Sequence, residues 1–144
     1  MGELTIKVED NPDPKDICTV IAKLVDYNNK SQQQEDIAYP VNILIRDPQG
    51  EVVGGLVGKT HWGWLLVSHL WVAENLRKQG YGRQLMLTAE KVAKKRGCTH
   101  AYLDTFSFQG LGFYKRLGYK LFGVLDDFPP KHKRYFLQKD LTKS

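Results

Sequence analysis

The sequence predicts a single α/β domain over residues 1–144, built on a mixed β-sheet. Short segments rich in β-branched and aromatic residues alternate with segments whose apolar residues recur at helical spacing. With 144 residues and 42% apolar content, the chain is long enough to bury one core. The predicted order is a strand, a helical region, three strands, a helix, a strand, a helix and two strands.

The N-terminal part predicts a strand followed by a helix. The segment "LTIKVE" (4–9) alternates between apolar and polar residues, as a half-buried strand does. The segment "DPKD" (13–16) is typical of a helix start, because Asp13 can cap free amides and Pro14 suits the first helical position. Apolar residues then recur at helical spacing as far as Tyr27.

The middle of the chain predicts a meander of three strands. A polar stretch, 28–36, precedes it and predicts a loop or a short exposed helix. The nearly continuous apolarity of the last strand, "WLLVSHLWV", indicates burial on both faces. The three strands are 41–46, 51–60 and 64–72, and the "DPQG" sequence (47–50) between the first two has the chemistry of a tight turn.

The C-terminal half predicts two helices and three strands. The first helix, 80–96, has an apolar face and ends in a cluster of basic residues followed by Gly97, as the helix dipole and the glycine C-cap favour. The remaining elements are a strand at 100–107, a short helix at 109–118 that stops at Gly118, and strands at 119–125 and 134–141.

A glycine-containing turn, "LRKQGYGRQLM" (76–86), joins the third strand of the meander to the long helix. The first N–H groups of a helix lack partners within the helix, and its dipole adds partial positive charge there. Gly80 and Gly82 would let a phosphate approach the backbone closely. Segment 77–83 therefore predicts a pyrophosphate site, and a plain turn with solvated cations is the alternative. Three cations flank the glycines: Arg77, Lys78 and Arg83.

Two other phosphate-binding motifs fit the sequence poorly. A dinucleotide-binding fingerprint needs a third glycine or alanine at position 85, where the chain has Leu85. The segment "GGLVGKT" (54–60) is similar to a P-loop, but Val53 stands where its first glycine belongs. That segment also leads into "HWGW" rather than into a helix.

The segment "LWVAENLRKQGYGRQLM" (70–86) resembles the acetyl-CoA-binding motif of the GNAT N-acetyltransferases. Arg77, Gly80 and Gly82 meet the family's pattern of Arg/Gln-x-x-Gly-x-Gly/Ala. The later "FYKRLGY" (113–119) is similar to a second signature of the family, which forms a short helix beside the cofactor. The resemblance covers nearly the whole chain and implies the GNAT fold, a mixed and mostly antiparallel sheet of about seven strands flanked by helices.

The resemblance implies acetyl-CoA as the acetyl donor, with no metal ion. The acetyl group would pass directly from the thioester to an amine. Backbone groups at the end of strand 64–72 would pair with the pantetheine arm and polarise the acetyl carbonyl; these belong to Leu70, Trp71 and Val72. The amides of the glycine turn would hold the pyrophosphate; after Arg77 they belong to Lys78, Gln79, Gly80, Tyr81, Gly82 and Arg83.

Two proton transfers accompany such a reaction, because the attacking amine must lose a proton and the departing thiolate must gain one. Tyr114 stands where the family often has a tyrosine acid, although packing alone would also explain it. The glutamate that family members often carry on the fourth predicted strand would fall near Leu66, which cannot accept a proton. The alternatives for the base are Asp104, His69, Glu74 or a water chain.

An acceptor pocket is expected between the first helical region and the last two strands. Acidic groups there would attract a cationic amine, but solvated loop charges are an equal alternative. The candidates are Glu35, Asp36, Asp126, Asp127 and His132. Trp62 and Trp64 are candidates for a pocket wall, a dimer contact or, by default, core packing.

Composition narrows the functional classes. Cys18 and Cys98 stand alone without a Cys/His cluster, which argues against a zinc site or a disulfide framework and favours the cytoplasm. No signal-peptide pattern or membrane-length apolar run occurs. The net charge of +5 is scattered, so a nucleic-acid partner is not expected. The expected partner is a small-molecule or protein amine, with a homodimer possible; a catalytically inactive acyl-CoA-binding protein and a basic nucleic-acid module are the alternatives.

Overall fold

The computed structural model describes residues 2–32 and 37–143. Contacts divide the chain into two compact units at residue 36. The first contains helix α1, Pro14–Gln32, and the second contains the β-sheet. No helix in the described parts is both long and apolar enough to cross a membrane.

The first unit confirms one predicted element and corrects another. Asp13 caps α1 as predicted, since its Oδ1 accepts a hydrogen bond from the amide of Lys15 at 2.9 Å. Residues 28–32 continue this helix, and the rest of the predicted loop lies outside the described residues. The strand predicted at 4–9 is wrong, because no described strand pairs with it. Alternation alone does not make a strand when no neighbour supplies the ladder of hydrogen bonds.

The second unit is a six-stranded mixed sheet with two helices, which confirms the predicted GNAT fold with six strands in place of about seven. Its strands follow the order β1-β2-β3-β4-β6-β5. Neighbours are antiparallel except β3 and β4, which are parallel. The strands are β1 (Tyr39–Arg46), β2 (Val52–His61), β3 (Trp64–Val72), β4 (His100–Phe106), β5 (Lys120–Asp126) and β6 (Lys133–Asp140); the helices are α2 (Tyr81–Lys95) and α3 (Leu111–Arg116).

One face of the sheet is buried against α2 and carries the core. Alternate residues of the inner strands point into it, together with the apolar face of α2. Fully buried members include Leu56, Leu65, Met86, Leu103 and Leu137. The prediction that β3 is buried on both faces is wrong for its second half, where Ser68 and His69 are exposed and Trp71 is 52% exposed.

A bulge separates the two halves of β3. The register of β2 with β3 shifts between Val57 and Gly58, so that Val57 pairs with His69 and Gly58 pairs with Val67. Ser68 is the extra residue. Gly58 is required at this point, because a Cβ there would collide with the carbonyl oxygen of Leu66. Before the bulge, the even-numbered residues of β3 face away from the core. After the bulge, the odd-numbered residues do so.

A buried charged cluster fixes the end of α3. The carboxylate of Glu90 on α2, only 5% exposed, accepts hydrogen bonds from the Tyr119 hydroxyl at 3.0 Å and from Lys139 Nζ at 2.7 Å. Lys139 also packs against Gly118, whose φ of +96° ends α3 where the sequence predicted. Burial, followed by the charge and hydrogen bond of Glu90, raises the pKa of the Tyr119 phenol.

Candidate active site

The parallel strands β3 and β4 separate at their carboxyl ends. Their pairing ends at Val67 and Leu103, although β3 continues to Val72 and β4 to Phe106. Each strand stays paired on its outer side, β3 with β2 and β4 with β6. The result is a split in the middle of the sheet, in which the inner backbone edge of Ser68–Val72 meets no strand formed by the described residues.

The glycine turn follows this split directly. Gly80 adopts a left-handed conformation, with φ of +88°, and its carbonyl accepts the first hydrogen bond of α2, from Gln84 at 3.0 Å. The amides of 81–83 therefore point out of the helix end, and no acceptor from the described parts of the chain meets them. This arrangement is a preformed anion site, in which the dipole of a fifteen-residue helix adds positive potential.

A cleft of about 490 Å³ runs from this turn to α3. A Cβ placed on Gly82 would lie 3.3 Å from the ring of Phe113, so that only glycine lets α3 come this close to the end of α2. The other lining residues are Val72, Leu76, Arg77, Lys78, Gly80, Tyr81, Arg83, Arg116 and Leu117. All of the predicted pyrophosphate residues except Gln79 therefore line this cleft.

The side chain of Arg77 is partly engaged in holding the turn. Its Nε donates to the carbonyl oxygen of Val72 at 3.0 Å, which ties the turn to the end of β3. Gln79 likewise donates from Nε2 to the carbonyl of Asn75, in the short 3₁₀ turn Glu74–Leu76. Lys78 has a φ of +62°, which is uncommon for a residue other than glycine. The backbone of this turn is thus held in shape by its own side chains.

Tyr114 lies on α3 and packs against the core. Its amide donates to Gly110, and its carbonyl accepts from the amides of Leu117 and Tyr119 at 3.1 Å. Burial raises the pKa of the Tyr114 phenol to about 12, and the negative charge of Asp104 contributes to the rise. The phenol is therefore held in its protonated form, and Asp104 is close enough to act on it.

His69 on β3 forms a dyad with Ser68. Ser68 Oγ donates to the carbonyl oxygen of Val57 at 2.9 Å and lies 3.0 Å from His69 Nδ1. Because a hydroxyl has a single proton, His69 Nδ1–H must be the donor to Ser68 Oγ. The free lone pair of the neutral imidazole is then on Nε2, on an exposed side chain at the edge of the split.

Asp104 on β4 is engaged in an ion pair. Its Oδ2 accepts from Arg134 Nε on β6 at 2.7 Å, and both side chains are more than one quarter exposed. Asp104 lies on the face of the sheet opposite α2, as His69 does, on the other side of the split. His69 and Asp104, two of the predicted base candidates, therefore flank the split. His69 can accept a proton at Nε2, whereas Asp104 is already paired with a cation.

The remaining predicted residues lie elsewhere. Glu74 is exposed in the 3₁₀ turn, and Asp127 accepts a hydrogen bond from the amide of Lys131 within its own loop. Asp126 pairs with Lys133 at 3.4 Å on the surface. His132 contacts Ser107 at 3.3 Å. Glu35 and Asp36 lie outside the described residues.

Trp62 and Trp64 do not line the split, because they lie at the amino end of β3 and the split lies at its carboxyl end. Trp64 is paired with His100 at the amino ends of the parallel strands, and the two rings stack at 4.6 Å. Trp62 is 45% exposed in the preceding turn. At about 3.3 Å per residue, the eight residues from Trp64 to Val72 place them roughly 26 Å from the glycine turn.

Residues 8–119 match the model of the acetyltransferase (GNAT) family. The chain belongs to this family. The resemblance stated on 70–86 and 113–119 is confirmed, and so is the expectation of an acetyltransferase. Within the described residues, no group of three or more His, Cys, Asp or Glu side chains is arranged to bind a metal ion.

Similar proteins agree with this assignment. The chain is 42% identical over 94 residues to the blasticidin-S acetyltransferase of Streptomyces morookaense, covering 65% of this chain and 69% of that one. A crystal structure described as an acetyltransferase from Agrobacterium tumefaciens is 35% identical, with a TM-score of 0.87 over 95% of this chain and 99% of that one. An acetyltransferase from Bacillus cereus is 32% identical, with a TM-score of 0.82 over 93% of this chain and 97% of that one.

Sequence reasoning did not identify three residues of this site. Ser68, the bulge residue, acts through His69, and nothing in the local pattern marks a bulge there. Phe113 packs on Gly82, although its position within "GFYKRLGY" could have pointed to it. Arg134 pairs with Asp104 from thirty residues away, a contact that only strand pairing brings about.

Proposed function

We propose that the protein transfers the acetyl group of acetyl-CoA directly to an amine. The observation that carries this proposal is the alignment of the split, the free amides of 81–83 and the cleft beside Phe113 along one path. A thioester in the split, an extended arm along β3 and a pyrophosphate at α2 match that path in shape and in charge. Acetyl-CoA is the donor that the GNAT family uses.

The donor would be held mainly by backbone groups. Within residues 2–32 and 37–143, no strand pairs with the inner edge of Leu70, Trp71 and Val72. This edge can therefore pair with the amide groups of the pantetheine arm as a further strand would. The amides of 78–83 would bind the pyrophosphate at the positive end of α2. Lys78 and Arg83, at the rim of the cleft, would add attraction for its charge.

Tyr114 would supply the proton for the departing sulfur. As the amine nitrogen bonds to the acetyl carbon, the carbon–sulfur bond breaks and its electron pair stays on sulfur. The thiolate then takes the phenolic proton of Tyr114, which regains a proton from solvent after release of the products. A phenol with a pKa of about 12 remains a donor at all working pH values.

His69 would accept the proton of the attacking amine, directly or through one water. The hydrogen bond from Nδ1–H to Ser68 fixes the tautomer with its lone pair on Nε2. Asp104 is the weaker candidate because its carboxylate already binds Arg134. Its charge would instead attract a cationic amine to the split and keep Tyr114 protonated.

The natural acceptor is open, and the relatives suggest where to begin. A protein 42% identical to this chain is named a blasticidin-S acetyltransferase, so blasticidin S is the acceptor to test first. A thiol-release assay with acetyl-CoA, blasticidin S and a panel of simple amines tests the proposed reaction. Release that depends on the amine supports the proposal, and acetyl-CoA binding without any turnover would favour an inactive acyl-CoA-binding protein.

Replacing Gly82 by Glu is expected to abolish binding of acetyl-CoA. The new side chain would push on the Phe113 ring and place a negative charge where the pyrophosphate binds. Isothermal titration calorimetry measures the affinity, and circular dichroism confirms folding. Gln49→Glu is the control for the added charge, because Gln49 is exposed and does not line the cleft. Unchanged affinity in a folded Gly82→Glu protein would contradict the site.

Replacing Tyr114 by Phe is expected to lower kcat roughly 10- to 100-fold with little change in acetyl-CoA affinity, because the ring stays and the donor goes. The phenol is protonated below a pKa of about 12, so the wild-type rate should not fall on the alkaline side until the pH nears that value. Steady-state kinetics between pH 6 and 11 measures both effects. A wild-type kcat in the variant would leave Tyr114 as a packing residue.

Replacing His69 by Gln is expected to lower kcat/KM for the amine about 100-fold at neutral pH, because glutamine accepts no proton. His100→Gln is the matched control, since His100 also contacts a neighbouring hydroxyl, that of Thr99, but at the amino end of β4. If Asp104→Asn causes the larger loss and His69→Gln causes none, Asp104 is the base.

A further inference from the structure

Arg134 lies in an aromatic enclosure on the face of the sheet opposite α2. Its guanidinium carbon is 4.9 Å from the centre of the Phe128 ring, 5.2 Å from that of Phe136 and 5.4 Å from that of Phe106. The side chain is 29% exposed and stands beside Asp104 at the split. Three rings around one guanidinium remove water from its flat faces and leave its edge as the route of approach.

The donors of Arg134 are largely unused. A guanidinium has five N–H groups and is always charged. Nε donates to Asp104 Oδ2, and neither terminal nitrogen of Arg134 has an acceptor in the parts of the chain that the structure describes. A partly desolvated cation with unfilled donors is costly unless a ligand or water fills them. The planar edge matches two oxygens of a carboxylate, which can bind to it through two parallel hydrogen bonds.

The neighbouring Asp104 is suited to bind a cation, whereas Arg134 is suited to bind an anion. Oδ2 is paired with Arg134, and no donor from 2–32 or 37–143 contacts Oδ1. A carboxylate oxygen that faces an opening attracts a cation. The two side chains therefore present a site for an anion and a site for a cation within a few ångströms of one another, directly beside the split.

We propose that the acceptor is an amino-carboxylate, whose carboxylate binds the edge of Arg134 and whose ammonium group is drawn to Asp104. This inference rests on the proposed function, since it assigns the substrate class of the same site. The amine is then held next to His69 Nε2 and the thioester, while the carboxylate is kept away from the reacting carbon. Arg134 is a specificity residue in this arrangement and takes no part in proton transfer.

Matched acceptors that differ only in charge test the proposal. The thiol-release assay compares β-alanine with β-alaninamide and 4-aminobutyrate with 4-aminobutanamide. In the wild-type protein kcat/KM should be at least about tenfold higher for the carboxylate member of each pair. In Arg134→Gln that preference should disappear, because the kcat/KM of each carboxylate acceptor should fall to that of its carboxamide. Lys133→Gln, which removes a more exposed cation from the adjacent position, should keep the preference.

A binding measurement covers the case in which these small acceptors are not acetylated. The Nε–H resonance of Arg134, assigned by its loss in Arg134→Gln, should shift on addition of 4-aminobutyrate to the protein saturated with acetyl-CoA, and not on addition of 4-aminobutanamide. Equal kcat/KM within each pair, or no shift with either amino-carboxylate, overturns the proposal. Failure to bind acetyl-CoA at all would count instead against the proposed function.

Discussion

The close contact of Gly58 with the carbonyl of Leu66 is the constraint on which the site depends. Without a side chain at residue 58, β2 can pair closely with the bulged strand β3, in which Ser68 is the extra residue. The bulge bends β3 away from β4 just where their pairing ends. It also turns His69 towards the solvent-facing side of the sheet. A sheet without this bulge would close the gap with ordinary ladder hydrogen bonds and leave no edge for a ligand.

The side chains beside the split divide the tasks of proton donor and proton acceptor between different residues. Burial, and then the negative charge of Asp104, raises the pKa of Tyr114, which keeps the phenol on one side of the split protonated. The same carboxylate is occupied by Arg134, which makes it a poor base. His69, held by Ser68, is left as the group with an accessible lone pair. The proton donor lies on α3 and the proton acceptor lies on β3, so the two proton transfers use separate groups.

The parts of the site that could be predicted from sequence are those set by local chemistry. Gly80 and Gly82 encode a turn and a helix start within a few residues, so the start of α2 could be predicted before the fold was known. The strand predicted at 4–9 failed because alternation does not supply a partner strand. The pairing of Asp104 with Arg134 and the bulge at Ser68 depend on strand register, which is a tertiary property. Burial on both faces of β3 was overestimated for the same reason, since its second half lines an opening.

The central claim is that acetyl-CoA lies in the split, held by the edge of β3 and by the start of α2. Hydrogen–deuterium exchange with and without acetyl-CoA tests this at the level of backbone amides. Slower exchange is expected in peptides that cover 68–72 and 78–83, and unchanged exchange in the 47–50 turn and in β5. Acetyl-CoA that binds without protecting 68–72 and 78–83, or that protects the far end of the sheet around Trp62 and His100, would contradict it.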